Sequence, residues 1–164
     1  MKKIVCFIMS LLLLTGCGKE QTSSVKEEQP HEIAFTMNGE FEYAHGYDTL
    51  KDLAHGGNLV VYGEVQEYHC EALGHFIYTF EQVRVDEVLY GDCEAGDTIN
   101  VRKMMGETTL AEHIESLKTC EPSLAEEYEE KYSKEEQETL YVRWENPYDI
   151  ESEAGQKSIY IFPW

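Results

Sequence analysis

Apolar and polar residues alternate along three stretches in the middle of the chain. The stretches read NLVVYGEVQEY over residues 58–68, FIYTFEQVRVDEVLYGD over 76–92 and GDTINVRK over 96–103. This alternation is typical of half-buried β-strands, and short connections between antiparallel strands explain the two gaps. The pattern therefore predicts three consecutive strands that pair antiparallel in chain order.

The second of these strands changes the parity of its apolar positions. They are even-numbered up to Phe80 and odd-numbered from Val83 onward. A strand with strict alternation cannot bury both sets, so we expect a β-bulge near Glu81-Gln82. This interpretation turns the following side chains toward the core: Phe76, Tyr78, Phe80, Val83 and Val85.

A short helix is predicted just before the first strand, over residues 47–55. Asp48 has the side chain of an N-cap, and Gly56-Gly57 is a helix stop. Inside the first strand, Gly63 is expected at a bend, since glycine within a strand favours bulges and curvature. These signals predict a curved sheet that is preceded by a helix.

The second half of the chain changes from helical to alternating spacing. Leu110, Ile114 and Leu117 lie on one helical face, which predicts a helical insertion at about 107–137. Alternation returns at residues 140–144 and 158–162, which predicts a fourth and a fifth strand.

The first residues of the chain have the pattern of a bacterial lipoprotein signal. Lys2 and Lys3 precede an apolar run that ends in Leu14-Thr15-Gly16-Cys17. The run is too short to span a bilayer, and the small residues before a cysteine form a lipobox. We expect residues 1–16 to be removed and Cys17 to be lipidated. The other interpretation is a core helix that happens to end in Gly-Cys.

A polar segment follows Cys17, and we predict that residues 17–46 are a flexible linker. The lipid at Cys17 would then hold a domain of residues 47–164 at the extracytoplasmic face of the membrane.

Acidic residues outnumber basic ones, with 32 Asp and Glu against 13 Lys and Arg and a formal net charge of −19. A surface of this sign repels phosphate backbones and anionic headgroups. Nucleic acid is therefore excluded as a partner, and membrane contact is expected through the lipid.

Cysteine positions allow a prediction about a disulfide. Cys6 lies in the signal and Cys17 carries the lipid, which leaves Cys70, Cys93 and Cys120. Cys70 follows the first strand, whereas Cys93 lies at the far end of the long second strand. The third strand returns toward Cys70, so we predict a Cys70–Cys120 disulfide and a single Cys93.

His69, Cys70 and His75 are candidate metal ligands because imidazole and thiolate bind zinc and copper. The simpler interpretation is a surface loop with scattered polar residues. The sequence contains no zinc-protease, nucleophile-elbow or phosphate-loop motif. It therefore predicts a non-enzymatic protein without a cofactor, with metal binding as the alternative.

Three tyrosines, Tyr62, Tyr78 and Tyr141, lie in predicted strands. Aromatic residues on a sheet usually pack in the core or pair across strands. If these three shared an exposed face, they would form a surface for a carbohydrate or a peptide.

The stretches LVVYGEV, VRVDEVLYGD, GDTINVRK and GQKSIYIFPW resemble two groups of proteins. One group is small secreted or lipid-anchored proteins of Gram-positive bacteria. The other, more distant group is netrin-like domains, which are OB-type barrels that include tissue inhibitors of metalloproteinases. The resemblance implies a five-stranded antiparallel OB-like barrel. The inhibitor mechanism of the netrin-like group needs a free N-terminal cysteine, which lipidation of Cys17 would block.

Together, these patterns predict a mainly β, lipid-anchored, extracytoplasmic binding module. Its ligand would be a protein, a peptide or a carbohydrate.

Overall fold

The structure is a computed structural model, and it describes residues 31–39, 49–147 and 149–163. The signal, the lipobox with Cys17 and most of the predicted linker lie outside the described residues. The chain is mainly β, with two sheets and a group of helices. The elements in chain order are β1 (Ile33–Asn38), α1 (Leu50–His55), β2 (Gly57–Leu73), β3 (Phe76–Tyr90), β4 (Thr98–Lys103), β5 (Gly106–Thr109), α2 (Leu110–Leu117), α3 (Pro122–Lys131), α4 (Lys134–Thr139), β6 (Tyr141–Glu145) and β7 (Lys157–Pro163).

The larger sheet has the strand order β4-β3-β2-β7, and each neighbouring pair is antiparallel. Its centre is the long β2–β3 hairpin, which turns at Gly74 with a φ of 62°. Glycine adopts this left-handed conformation without the steric cost of a Cβ. The predicted meander of three strands is confirmed.

The smaller sheet has the strand order β1-β6-β5. β1 runs parallel to β6, and β5 runs antiparallel to it. Ile33–Asn38 falls within the range that was predicted as linker, but it forms a strand whose Phe35 and Met37 pack against the core.

Neither sheet closes on itself, so the predicted five-stranded OB-like barrel is not confirmed. The fourth predicted strand, β6, pairs with β1 and β5. The fifth, β7, pairs with β2 at the edge of the larger sheet. The two predicted strands therefore belong to different sheets.

The bulge near residue 82 lies on β2 rather than on β3. Pairing passes from Val65 opposite Val83 to Glu67 opposite Gln82, which leaves Gln66 as the extra residue. The buried positions of β3 are therefore odd-numbered from Ile77 to Val85. The prediction that Phe76, Tyr78 and Phe80 face inward was wrong, because the parity changes on the partner strand. They alternate with the buried positions and are partly or well exposed.

Three of the helices, α2, α3 and α4, pack with the smaller sheet around a shared core, whereas α1 contacts β2. The predicted insertion contains three helices, and α2 is amphipathic with its apolar face buried. Thr109 and Glu112 form a capping box at its start, and Pro122 opens α3. The core cluster between helices and sheets comprises Ile77, Leu110, Ile114, Leu117, Ala125, Val142 and Trp144.

At α1, the Thr49 hydroxyl accepts a hydrogen bond from the Asp52 amide at 3.1 Å. Asp48, the predicted cap, lies outside the described residues. In the described parts of the chain, no helix has the length and apolarity needed to cross a membrane.

Candidate functional site

A cleft of about 1110 Å³ lies where the smaller sheet meets the middle of the β2–β3 hairpin, just beyond the bulge at Gln66. One wall comes from β5 and β6, the opposite wall from β2 and β3, and the rim from the loop before β7. Most small-molecule sites are concave spaces of this order of size. Its lining residues include His31, Asn38, Tyr68, Cys70, Thr79, Gly106, Glu107, Glu112, Tyr141, Arg143, Trp144, Glu145, Asp149, Glu151 and Ser152.

An ion-pair network crosses the β5–β6 wall of the cleft. Arg143 lies opposite Glu107 in the strand register, and its Nε donates to Glu107 Oε1 at 2.6 Å. The Arg143 Nη1 atom lies 3.7 Å from Glu145 Oε1. The hydrogen bond to Glu107 is the main cause that raises the pKa of Arg143. The guanidinium is therefore fixed in position and charged at every physiological pH.

His31 attaches the first described residues to the same wall. Its Nδ1 lies 3.1 Å from Glu107 Oε2. Its ring stacks on Tyr141 with centroids 3.8 Å apart and planes 11° apart. The two rings present a flat aromatic surface at the cleft, of the kind that packs against sugar rings or planar side chains.

The start of α2 contributes a second fixed carboxylate. The Glu112 side chain accepts hydrogen bonds from the Thr108 hydroxyl and the Thr109 amide. The hydrogen bond from Thr108 is the main cause that lowers the pKa of Glu112. Glu112 is therefore ionised at neutral pH and held by the chain itself.

The β2–β3 wall is formed by Tyr68, which is 44% exposed, together with Cys70 and Thr79. The Thr79 hydroxyl donates to the Met105 carbonyl at 2.7 Å. A Cβ at Gly106 would lie 2.7 Å from both Cys70 Sγ and Thr79 Oγ1. Glycine at this position therefore lets β5 lie directly against the larger sheet.

A buried carboxylate anchors the loop that forms the rim. Glu81 is 1% exposed, and its Oε1 lies 2.7 Å from Lys103 Nζ. The Ser152 hydroxyl donates to the same oxygen, and Lys103 donates to the Ile150 carbonyl at 2.7 Å. Burial and the nearby charge of Glu81 raise the pKa of Tyr160 to about 12. These contacts hold residues 150–152 against the sheet.

Carboxylates outnumber cations around the cleft. Arg143 is the permanent cation among the lining residues, and His31 is ionisable. Water and low-dielectric walls together concentrate the field of such groups inside a cleft. The carboxylates that line the cleft are those of Glu107, Glu112, Glu145, Asp149 and Glu151.

The three candidate metal ligands do not converge. His69 stacks on Phe80 with centroids 5.3 Å apart, whereas Cys70 lies on the cleft side beside Thr79. Neighbouring residues of a strand point to opposite faces, which separates this pair. His75 lies in the hairpin turn, with its Nδ1 3.5 Å from Glu121 Oε1. Within the described ranges, no group of three or more His, Cys, Asp or Glu side chains could hold a metal ion.

The cysteines at 70, 93 and 120 are free thiols. Cys70 Sγ lies 3.4 Å from Thr79 Oγ1, whereas Cys120 Sγ lies 3.5 Å from where a Cβ of Gly74 would be. Four residues of strand separate Cys70 from Gly74, or about 13 Å at the usual rise. The predicted Cys70–Cys120 disulfide is therefore not formed in the structure, because the two thiols lie at different heights of the hairpin.

Cys93, the predicted single cysteine, hydrogen-bonds Asp97 at 3.4 Å. Desolvation, followed by the interaction with Asp97, raises the pKa of its thiol.

The three tyrosines lie in different places. Tyr62 lies below Lys157, whose Nζ is 5.9 Å from the ring, and Tyr78 lies below Arg102, whose Cζ is 4.9 Å away. Tyr141 lines the cleft. They do not share one exposed face, and Tyr141 is the member of the set that contributes to the cleft.

Sequence reasoning missed Glu107 and Arg143 because it did not predict β5. Once β5 and β6 are aligned, the opposite charges of Glu107 and Arg143 indicate a cross-strand ion pair, since facing residues on adjacent strands interact. The described residues form two sheets, and the cleft between them is lined by aromatic and acidic side chains. Comparisons with protein-family models, curated proteins and solved structures found no match to this chain.

Proposed function

We propose that the chain is a lipid-anchored, extracytoplasmic binding protein that holds a cationic or neutral ligand in the cleft between its sheets. The observation that carries the proposal is the cleft itself, with a volume of about 1110 Å³ and a lining of fixed polar and aromatic groups. Concave sites with a few oriented polar groups are the usual binding sites of proteins. The lipobox that ends at Cys17 supports the location.

The charge of the cleft favours amines and guanidinium groups over anions. Its main cation, Arg143, is already paired with Glu107. Arg143 also lies 3.7 Å from Glu145, so within the described lining one permanent cation is shared among several carboxylates, of which Glu145 and Glu151 are exposed. A ligand with a lysine-like amine would gain from these charges, whereas a phosphate would be repelled.

The aromatic groups of the cleft favour a ligand with flat or apolar surfaces. Tyr68 is 44% exposed, and the Tyr141–His31 stack lies across the cleft. Such rings contribute about 0.5–1.5 kcal/mol beyond area burial when they pair with another ring. A short cationic peptide or an amino sugar combines both requirements.

The experiment titrates the full-length lipoprotein, in detergent, with three probes. They are a tripeptide that contains lysine and tyrosine, a neutral β-linked trisaccharide and an anionic oligonucleotide of similar length. We expect binding of the peptide, weaker binding of the sugar and none of the oligonucleotide. Tyr141→Ala should weaken peptide binding about tenfold, since it removes the stacking surface. Tyr78→Ala is the matched control outside the cleft.

A second pair of variants separates local from overall charge. Glu145→Gln/Glu151→Gln removes two carboxylates from the rim, and Glu71→Gln/Glu87→Gln removes two exposed carboxylates elsewhere. The first pair should weaken peptide binding severalfold, whereas the second should leave it unchanged. Equal losses in both pairs, or binding that depends on Tyr78 and not on Tyr141, would contradict the cleft as the site.

A further inference from the structure

His113 is a fully buried imidazole on α2, with 0% exposure. Neither Nδ1 nor Nε2 has a hydrogen-bond partner within the described part of the chain. Buried polar groups are nearly always paired, and an unpaired one carries a desolvation cost. A helix position whose apolar neighbours are Leu110, Ile114 and Leu117 would accept an apolar side chain, so the imidazole calls for an explanation.

Three elements meet at the His113 ring. Phe35 of β1 lies 6.1 Å away between centroids, and Tyr128 of α3 lies 6.5 Å away. His75, in the turn of the β2–β3 hairpin, also lies 6.5 Å away. Among the described residues, the titratable rings that lie within 6.5 Å of it are those of His75 and Tyr128. The carboxylate of Glu121 is placed against His75, 3.5 Å from its Nδ1.

The remaining neighbouring elements bring neutral groups to this layer. β6 contributes Trp144, whose ring lies 6.3 Å from His75 and whose buried Nε1 also has no hydrogen-bond partner among the described residues. α4 contributes Gln137, which donates to the Tyr132 carbonyl at 2.7 Å. A charge on His113 would therefore arise in an apolar layer, beside the ring of a second histidine.

Burial, and next the positive charge of His75, lower the pKa of His113 from 6.5 to about 4. An exposed imidazole keeps its ordinary pKa near 6.5. As the pH falls below about 6.5, His113 is protonated in a state that exposes its ring to water and stays neutral in the packed state. The packed state loses stability down to pH 4, where the closed ring also titrates.

We propose that His113 is an acid-sensitive latch, whose protonation releases α2 and α3 from β1 and from the tip of the β2–β3 hairpin. At neutral pH the uncharged ring fills the junction of the three elements. In acid, the charged ring is stable where water reaches it, which favours the separated arrangement.

The latch is connected to the cleft through the smaller sheet. β1, which contacts His113 through Phe35, pairs along its length with β6. β6 carries Tyr141 and Arg143 into the cleft. This consequence rests on the proposed function of the cleft: release of the helical layer would remove support from the cleft wall, and acid would reduce the ability of the cleft to hold its ligand.

Amide hydrogen exchange of the full-length protein at pH 7 and pH 5 tests the proposal. After correction for intrinsic exchange, the opening equilibrium of peptides from 110–131 should rise about 20-fold at pH 5, the factor that the two pKa values imply. Peptides from 57–65 and 83–90, in the larger sheet, should change much less. His113→Phe should remove the pH effect, because phenylalanine fills the space without titrating.

His69→Phe is the matched control, since it removes an exposed histidine and should leave the 20-fold change intact. A pH effect that survives in His113→Phe, or one that spreads equally over both sheets, would overturn the proposal. If residues 110–131 of His113→Phe already exchange fast at pH 7, the variant has not folded correctly. The titration of the His113 ring in the unmodified protein then tests the proposal. A ring signal that titrates near pH 6.5 in the folded protein contradicts the latch, and one below pH 5 supports it.

Discussion

At the scale of single residues, the inner face of the larger sheet carries charge where a core is expected. Glu81 occupies a buried position between Thr79 and Val83, and Lys103 neutralises it from β4. The expected bulge near Glu81-Gln82 left no buried role for Glu81, because alternation shows where a side chain points and not which distant cation it meets. Burial of Glu81 depends on a partner in another strand, which periodicity along one strand cannot reveal.

Lys103→Met should strongly destabilise the protein, because it leaves the Glu81 carboxylate buried without its cation. The Lys103 side chain is 13% exposed and that of Glu81 is 0% exposed, so solvent screens the pair little. Removal of one partner from such a pair costs about 3–5 kcal/mol. Urea denaturation followed by circular dichroism measures the loss of unfolding free energy.

The double variant Lys103→Met/Glu81→Leu removes both charges and should recover much of the lost stability. Lys157→Met is the exposed control, since Lys157 pairs with Asp86 and Glu64 at the surface, where solvent screens the charges, and it should cost much less than Lys103→Met. A Lys103→Met protein as stable as the Lys157→Met protein would show that the buried pair does not stabilise the fold.

At the scale of elements, local signals predicted what lies within one stretch of chain. The β2–β3–β4 meander, β7, and helices in the insertion all follow from periodicity and turn residues. The parity change was also visible, but alternation cannot tell on which strand of a pair the extra residue lies. The extra residue is Gln66 of β2. Because the bulge was expected on β3 instead, Phe76, Tyr78 and Phe80 were predicted to lie on the wrong face of the sheet.

A capping box of Ser133 and Glu136 marks the start of α4, and Ser133→Ala tests how much this cap contributes to the stability of the protein. The Ser133 hydroxyl accepts from the Glu136 amide at 3.3 Å, and Glu136 Oε2 accepts from the Ser133 amide at 2.7 Å. Loss of such a cap costs about 1 kcal/mol. We expect a lower unfolding midpoint in urea with an unchanged slope.

The control for this variant is Ser123→Ala, within the first turn of α3. No side-chain cap is formed at the start of that helix, and alanine is the better helix former. Ser123→Ala should therefore be neutral or slightly stabilising. Equal destabilisation by both substitutions would show that the Ser133 cap has no special weight.

At the scale of the whole molecule, the second sheet could not be read from the sequence. β1 pairs in parallel with β6, although most of the chain lies between them. β5 is a strand of 4 residues. A short strand and a distant parallel partner leave almost no local pattern. The cleft lies between the two sheets, so most of its residues were missed with the smaller sheet. Cys70 was selected as a metal ligand and disulfide partner, and Tyr141 for a binding surface shared with Tyr62 and Tyr78.

The proposed position of the protein at the cell surface depends on Cys17, which Cys17→Ala tests in cells that express the full chain. The thiol is the atom that would receive the lipid, and two acyl chains are sufficient for stable anchoring. Unmodified protein should sediment with membranes and incorporate radiolabelled palmitate. The variant should lose the label and should not be cleaved after residue 16. Cys93→Ala is the matched control, since it removes an equally free thiol from the folded domain and should retain the label. Palmitate in the Cys17→Ala protein, or its loss from the Cys93→Ala protein, would place the attachment elsewhere and contradict the proposed anchor.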